Sequence, residues 1–476
     1  IYFKTQIFLV WSVNLRYYPK YHLAPPEGWM NDPNGFCLFK DDYHLFYQHN
    51  PNSSQVPGIA YWGHAKSKDL FNWEHLPIAM APTDKYDSSG VFSGSALIEN
   101  NVMYLFYTGN VNHERATPDH EQHQALAVST DGVTVTKYEN NPIIQGSDRQ
   151  PNFRDPKVWK HGDTYYMVLG NSYNNDTLGR VLLYSSKDMY DWQEVSILDR
   201  SYGFLGYMWE CPDFFELDGY FILLFSPQGM TKQGIRFNNL YQTGYLVGHF
   251  DYETLKFTQV SEFRELDFGH DFYATQTIED KNGDRVMVAW LDMWEELYPE
   301  RNDGFAGHMS IPRILTLDKQ LRLVQKPVKQ IKDAVEKMLY SGNAYNSVVK
   351  LENNTGEIQI KAPKSQDFVL ILESNSKPSV TIAYEYEYGL VTLDRGGTDG
   401  KRSGKWRPRH REMLCTIYVD SSSVEAFFGD GEVTFSSRFF PDGEVIVRTL
   451  KTNEDTHMTV HAMKHTVPGP ACLCYS

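Results

Sequence analysis

The sequence predicts an all-β protein, a five-bladed β-propeller followed by a C-terminal β-sandwich. Three observations carry that expectation. Five segments in the first two thirds share one pattern: a small polar or acidic start, an apolar strand, a short polar turn and a second, aromatic-rich strand. Their starts fall about 60 residues apart, the spacing of a structural repeat. After about residue 326 the pattern gives way to short alternating strands with polar turns, as in a sandwich.

In chain order, residues 1–16 form an N-terminal extension. Its run IFLVWSV, Ile7 to Val13, reads either as the remnant of a signal-peptide core or as a strand packed on the main domain. The first repeat is DPNGFCLFKDDYHLFYQHN from Asp32 and the second is FSGSALIENNVMYLFYTGN from Phe92. RDPKVWKHGDTYYMVLGNS follows from Arg154, ECPDFFELDGYFILLFSPQG from Glu210 and DFYATQTIEDKNGDRVMVAWL from Asp271. Turn residues divide each hairpin, such as Asn100-Asn101, Asp218-Gly219 and Asn282-Gly283. A lone hairpin cannot bury its faces, whereas four-stranded units set radially around a channel can. The repeats therefore predict five blades over residues 17–325. Residues 326–336, with the run QIKDAVEKMLY just beyond Pro327, read as a short helical linker, and 337–476 as the sandwich.

Composition narrows the partners. A chain of 476 residues is long enough for two cores. Aromatic residues at 14% suit β-structure and sugar-stacking surfaces alike. The formal net charge of −15 argues against nucleic-acid and anionic-membrane partners, which need a basic face. No run of about eighteen apolar residues exists to form a membrane-spanning helix. The sequons at Asn52, Asn175 and Asn353 favour a secreted protein over a cytoplasmic one. The five cysteines do not form a disulfide framework, although Cys472 or Cys474 is within the range of options for pairing with Cys415. No metal site is expected: HExxH is absent, and the densest histidine run, His113 to His123, reads as a solvated loop.

A propeller gathers the starts of its inner strands at one channel mouth. The repeats would bring Asn31 and Asp32, Phe92 and Ser93, Arg154 and Asp155, Glu210 and Tyr273 to one pocket. Paired carboxylates are the minimum equipment for glycoside hydrolysis, one attacking or activating water and the other protonating the leaving oxygen. Asp32 in WMNDPNG suits attack. Glu210 between Trp209 and Cys211 has an apolar sequence setting that favours the proton-donating form. Arg154 beside Asp155 is expected to keep that aspartate ionised and orient it toward sugar hydroxyls. Singly, each has a plainer reading: a turn former, a surface ion pair, a half-exposed strand residue. Their shared place at repeat starts joins them.

WMNDPNG (Trp29 to Gly35), FRDP (Phe153 to Pro156) and ECPDF (Glu210 to Phe214) resemble the three signature motifs of glycoside hydrolase family 32, which includes invertases, levanases, inulinases and sucrose-6-phosphate hydrolases. FYQHNP, WGHAKSKDL, FSGSA, DFYATQT and the C-terminal DSSSVEAFFGDGE also match, in colinear order over about residues 17 to 450. The resemblance implies the same propeller and sandwich. It implies Asp32 as nucleophile, Glu210 as acid/base and Asp155 as transition-state stabiliser. It further implies fructosyl contacts from Asn31, Gln48, Trp62, Phe92, Ser93 and Arg154, with Tyr273 and either Trp290 or Trp294 lining the pocket. One departure stands out: where many members carry a tryptophan after FYQHNP, this chain has Val56. The implied activity is a retaining, exo-acting β-fructofuranosidase on sucrose, needing water and no cofactor. Alternatives are a sucrose-6-phosphate hydrolase, a fructan hydrolase or a fructosyltransferase. A non-catalytic sugar-binding propeller is disfavoured because all three carboxylates are present.

Overall fold

The computed structural model describes residues 13–114 and 116–470. Most of the N-terminal extension, including the IFLVWSV run except Val13, and both Cys472 and Cys474 lie outside the described residues.

Five antiparallel sheets follow one another along the chain, at residues 28–80, 90–137, 153–200, 208–265 and 273–327. Each starts at the channel and runs outward. The inner strands are Gly28–Phe39, Gly90–Glu99, Phe153–His161, Met208–Leu217 and Tyr273–Glu279. Each touches the next, and the fifth touches the first, so the ring closes. A short strand from the fifth blade, Phe305–Ala306, also pairs in parallel with Gly28–Trp29 of the first and ties the ends of the ring together.

The local sequence explains the hairpins. Lys40 and Asp41, Asn100 and Asn101, and Asp218 and Gly219 all have positive φ, the conformation of a two-residue turn whose twist matches that of its strands. Asn, Asp and Gly tolerate that region best. Apolar side chains from facing sheets then fill a wedge between neighbouring blades. Trp62, Val91 and Tyr107 lie between the first and second, and Val168, Leu183, Trp209 and Phe225 between the third and fourth.

The C-terminal part is two six-stranded sheets packed face to face over a core that includes Ile358, Leu370, Ile382, Cys415 and Phe428. Cys415 is a free, buried thiol within it. The helical linker expected at 326–336 is mostly not helical. The last propeller strand runs to Pro327, one turn of helix spans Ile331–Ala334, and Val335–Asn343 is already a sandwich strand. Val335–Asn343 pairs with His457–Met463, and that pairing overrides the helix-forming composition. The histidine run differs too: its last four residues begin the strand His120–Ser129.

The sandwich docks on the fifth blade and the segment before the first through buried ions. Arg313 pairs with Asp267 at 3.1 Å and with Glu425 at 2.5 Å. His22 sits between Asp420 and Glu425, 2.7 Å from each. Arg438 pairs with Glu300, and Arg395 with Asp271. Gly269 passes so close to Ser436 that an added Cβ would lie 1.9 Å from its carbonyl oxygen. Among the described residues no helix is long and apolar enough to cross a membrane.

Candidate active site

Each inner strand carries an irregularity at the same end of the channel. The register skips at Asn31–Asp32, at Ser93, at Asp155–Pro156, at Cys211–Pro212 and at Ala274–Thr275. A bulge leaves a residue unpaired and turns its side chain away from the regular alternation. Asp155, Cys211 and Ala274 have positive φ there, at 68°, 48° and 57°. For residues other than glycine that conformation costs of order 1–3 kcal/mol and persists only where its surroundings enforce it. Proline supplies part of that enforcement after Asp32, Asp155 and Cys211, because it cannot continue the ladder.

The result is a ring of acids. Asp32, 7% exposed, accepts Ser93 Oγ at 2.6 Å and Cys211 Sγ at 3.4 Å on Oδ2, and Asn31 Nδ2 at 3.1 Å on Oδ1. Asp155 Oδ2 accepts the Cys211 amide at 2.9 Å and its thiol at 3.6 Å. One oxygen of Asp32, one of Asp155 and the sulfur of Cys211 all lie within 4.8 Å of one another. That trio is the one grouping among the described residues with metal-ligand geometry. Its members already satisfy one another, and burial and the surrounding carboxylates push the Cys211 thiol well above its ordinary pKa, so the sulfur stays a hydrogen-bond donor.

Glu210 occupies a different setting from the one its sequence neighbours suggest. Trp209 turns away into the apolar wedge between blades. The carboxylate instead meets Arg154 Nε and Nη2 at 2.9 and 2.6 Å, Gln228 Nε2 at 3.0 Å and Tyr273 Oη at 2.6 Å. Arg154 therefore braces Glu210 rather than the adjoining Asp155. Successive residues of a strand point to opposite sides, which is why the two do not pair. Burial raises the pKa of Asp155, the charge of Glu210 adds to that, and Arg154 offsets only part of it. Asp32 is raised by burial first and by Glu210 second.

The remaining expected residues divide into two groups. Asn31, Ser93, Arg154 and Tyr273 touch the carboxylates directly, and Phe92 is half-buried beside Ser93. Trp294 is partly exposed and packs against Tyr273 and Tyr241, with ring centroids 5.0 and 5.2 Å away, as a wall of the mouth. Gln48, Trp62 and Trp290 stand behind this surface. Gln48 donates to Val91 O at 2.9 Å. Trp62 has no exposed surface and donates to Phe92 O at 2.9 Å. Trp290 is wholly buried against Trp29 and Trp294. These three set the shape of the pocket from beneath. Val56, which stands where many family members carry a tryptophan, is an exposed residue of the loop between the second and third strands of blade one.

Sequence reasoning missed Cys211, Gln122, Asn152 and Gln228. Cys211 lies inside ECPDF at a repeat start, so its position was available. Gln122 belongs to the histidine run, and its Oε1 accepts Arg154 Nη1 at 3.3 Å. Asn152 Oδ1 accepts the same nitrogen at 2.9 Å. Nothing local distinguishes these amides from ordinary surface residues. The arrangement as a whole can attack an acetal carbon with one carboxylate, move a proton with another, and stabilise positive charge between them.

The chain matches the models of "Glycosyl hydrolases family 32 N-terminal domain" over residues 22–327 and of "Glycosyl hydrolases family 32 C terminal" over residues 319–466. It is 39% identical to the sucrose-6-phosphate hydrolase of Zymomonas mobilis over 461 residues, covering 90% of this chain and 87% of that protein. Among solved structures, it superposes on the Bombyx mori GH32 beta-fructofuranosidase with a TM-score of 0.89 and 40% identity, covering 96% of both chains; a mutant of that protein was solved in complex with sucrose. The sucrose-6-phosphate hydrolase from Lactobacillus gasseri aligns with a TM-score of 0.85 and 28% identity, covering 95% of this chain and 94% of that one.

Proposed function

The chain belongs to glycoside hydrolase family 32 and is a hydrolase of fructosides, and from that premise we propose that it cleaves the β-fructofuranosyl bond of sucrose 6-phosphate with net retention. The observation that carries the chemistry is the convergence of Asp32 and Asp155 beside the braced Glu210. In this reading Asp32 attacks the anomeric carbon of the fructosyl unit while Glu210 protonates the departing glucosyl oxygen. A fructosyl–Asp32 ester forms. Glu210, now a carboxylate, deprotonates the water that opens the ester, and the proton returns to it. Arg154 and Tyr273 point donors at Glu210, which suits its charged form in that second half. Asp155 holds fructosyl hydroxyls and offsets the positive charge of the oxocarbenium-like transition state.

The phosphate ester is placed ahead of sucrose by the likeness to the sucrose-6-phosphate hydrolases of Zymomonas mobilis and Lactobacillus gasseri. Unmodified sucrose, the substrate expected from the motifs, remains the second reading because a mutant of the 40%-identical Bombyx mori beta-fructofuranosidase was solved in complex with sucrose. Steady-state kinetics on the two substrates decide between them: a kcat/KM for sucrose equal to or above that for the phosphate ester would reverse the order. The mechanism is tested by NMR of the sugar first released. β-Fructofuranose is expected, and initial α-anomer would mean that Asp32 acts through water.

A further inference from the structure

A second feature of the mouth lies between the second and third blades. Residues 116–120 and 172–176 flank a groove of about 860 Å³, which Arg149 and Arg180 also line. The groove is joined to the acids by short polar links. Arg180 Nε donates to Asn171 Oδ1 at 2.7 Å, and Asn171 Nδ2 donates to Asn152 O at 2.6 Å. Asn152 Oδ1 in turn accepts Arg154 Nη1 at 2.9 Å and faces His120 Nε2 at 3.2 Å.

Arg180 stands directly opposite Arg200 in the ladder between the second and third strands of blade three. Like charges placed directly across a strand pair destabilise it, so sequences normally avoid the arrangement. Each arginine lowers the burden only partly through its own contacts. Arg180 lies over the ring of Tyr173, with 5.1 Å to the centroid, and feels the charge of Glu194 from within the blade. Arg200 reaches the Tyr202 hydroxyl at 3.3 Å and feels Asp199. Neither guanidinium has a carboxylate within ion-pair distance among the described residues, and neither has exposed Arg149. The groove's own acids are largely engaged: Asp119 with His120 at 2.7 Å and Asp176 with the Ser172 hydroxyl, leaving Asp148 exposed beside Arg149. A chain with a net charge of −15 thus keeps Arg149 and Arg180 on this groove and Arg200 across the ladder from Arg180, with no ion-pair partner for any of them among the described residues.

We infer that Arg180 and Arg200, with Arg149 at the outer edge, form a subsite for a phosphate monoester on the leaving sugar. Guanidinium forks suit phosphate oxygens, and two of them together relieve the repulsion built into the ladder. This deepens the proposed function and rests on it, because the phosphate must be carried by the aglycone that Glu210 protonates.

The test compares kcat/KM for sucrose 6-phosphate and for sucrose in the natural protein and in R180Q/R200Q, with inorganic phosphate as a competitor. Arg149→Gln, on an exposed loop, serves as the second variant if the double one fails to fold. The natural protein is expected to favour the phosphate ester and to be competitively inhibited by inorganic phosphate. The double variant is expected to lose about 10-fold to 100-fold of that preference through KM, as befits charge-assisted hydrogen bonds, and to lose the inhibition. Arg149→Gln is expected to lose a smaller part of both. A natural protein that favours the ester while the variants keep that ratio within about twofold would overturn the subsite and leave the proposed substrate standing. A natural protein with no preference for the ester would overturn the substrate and the subsite together.

Discussion

The channel mouth and the seam between propeller and sandwich are both built from buried acids, but they treat them oppositely. At the mouth, Asp32 and Asp155 lie together beside Glu210, and of the three carboxylates Arg154 hydrogen-bonds Glu210 alone. At the seam, Asp267, Asp420, Glu425, Glu300 and Asp271 each meet a guanidinium or an imidazole. Burial raises the pKa of a carboxyl in both places. At the seam the hydrogen bonds and charges of His22 and Arg313 more than offset it, and Asp420 and Glu425 end below their ordinary values. At the mouth the hydrogen bonds to Asp32 and the charge of Arg154 near Asp155 offset it only in part, and Asp32 and Asp155 end above theirs. Raised acids favour the protonated folded state, so their ionised forms cost stability near neutral pH; lowered acids contribute it. One region holds acids in a state fit for reaction, and the other uses them to hold two domains in register.

The sharpest way to break the contrast is Asp32→Asn. Turnover is expected to fall at least as far as for loss of a general acid, about 10²–10⁴-fold, while the melting temperature rises because a poorly compensated buried charge is gone. A melting temperature that falls would mean that Asp32 is a structural acid like those of the seam. The reverse experiment is Arg313→Leu. Removing the cation leaves Asp267 and Glu425 buried without it, an expected loss of about 3–5 kcal/mol in denaturant unfolding. Unchanged stability would show that the seam tolerates unpaired acids as the mouth does.

Arg154→Lys probes the cation that touches Glu210. Lysine keeps the charge but cannot place two parallel donors on Glu210, so kcat/KM is expected to drop about 10-fold to 100-fold with little change in melting temperature. Wild-type kinetics would make Arg154 a charge-balancing residue only.

The smallest expected effect concerns pH. Burial lowers the pKa of His22, but its bonds to Asp420 and Glu425 outweigh that and raise it from 6.5 to about 9. Because the folded-state value exceeds that of the unfolded chain, the contribution is complete below about 6.5 and is lost as pH rises through about 9. Over that window stability should fall by up to about 1.4 kcal/mol per pH unit, and His22→Gln should flatten the slope. A slope that survives the substitution would assign the dependence to other groups.

Much of this was legible along the chain. The repeat spacing, the two-residue turns at Asn100-Asn101 and Asp218-Gly219, and the shared x-Pro step are local signals, and local signals suffice to define hairpins and their order. Once hairpins are arranged radially, the repeat starts must meet, so Asp32, Asp155, Glu210 and Ser93 could be grouped without coordinates. Side-chain direction could not be read this way. That Arg154 turns to Glu210 and not to its neighbour Asp155 depends on bulges, whose register is set by the partner strands. That Trp62 and Trp290 stand behind the pocket while Trp294 walls it depends on how adjacent blades wedge together. The run after Pro327 has the composition of a helix and becomes a strand because an edge of the sandwich was open to pair with it. The uncompensated Arg180 and Arg200 lie 20 residues apart in sequence with nothing to link them until the ladder sets them face to face. The chain alone therefore determined which residues gather at the mouth, because covalent order and turn chemistry dictate the blades. Only the tertiary structure decided which charge answers which, because pairing depends on distances of a few ångströms between strands that the sequence holds far apart.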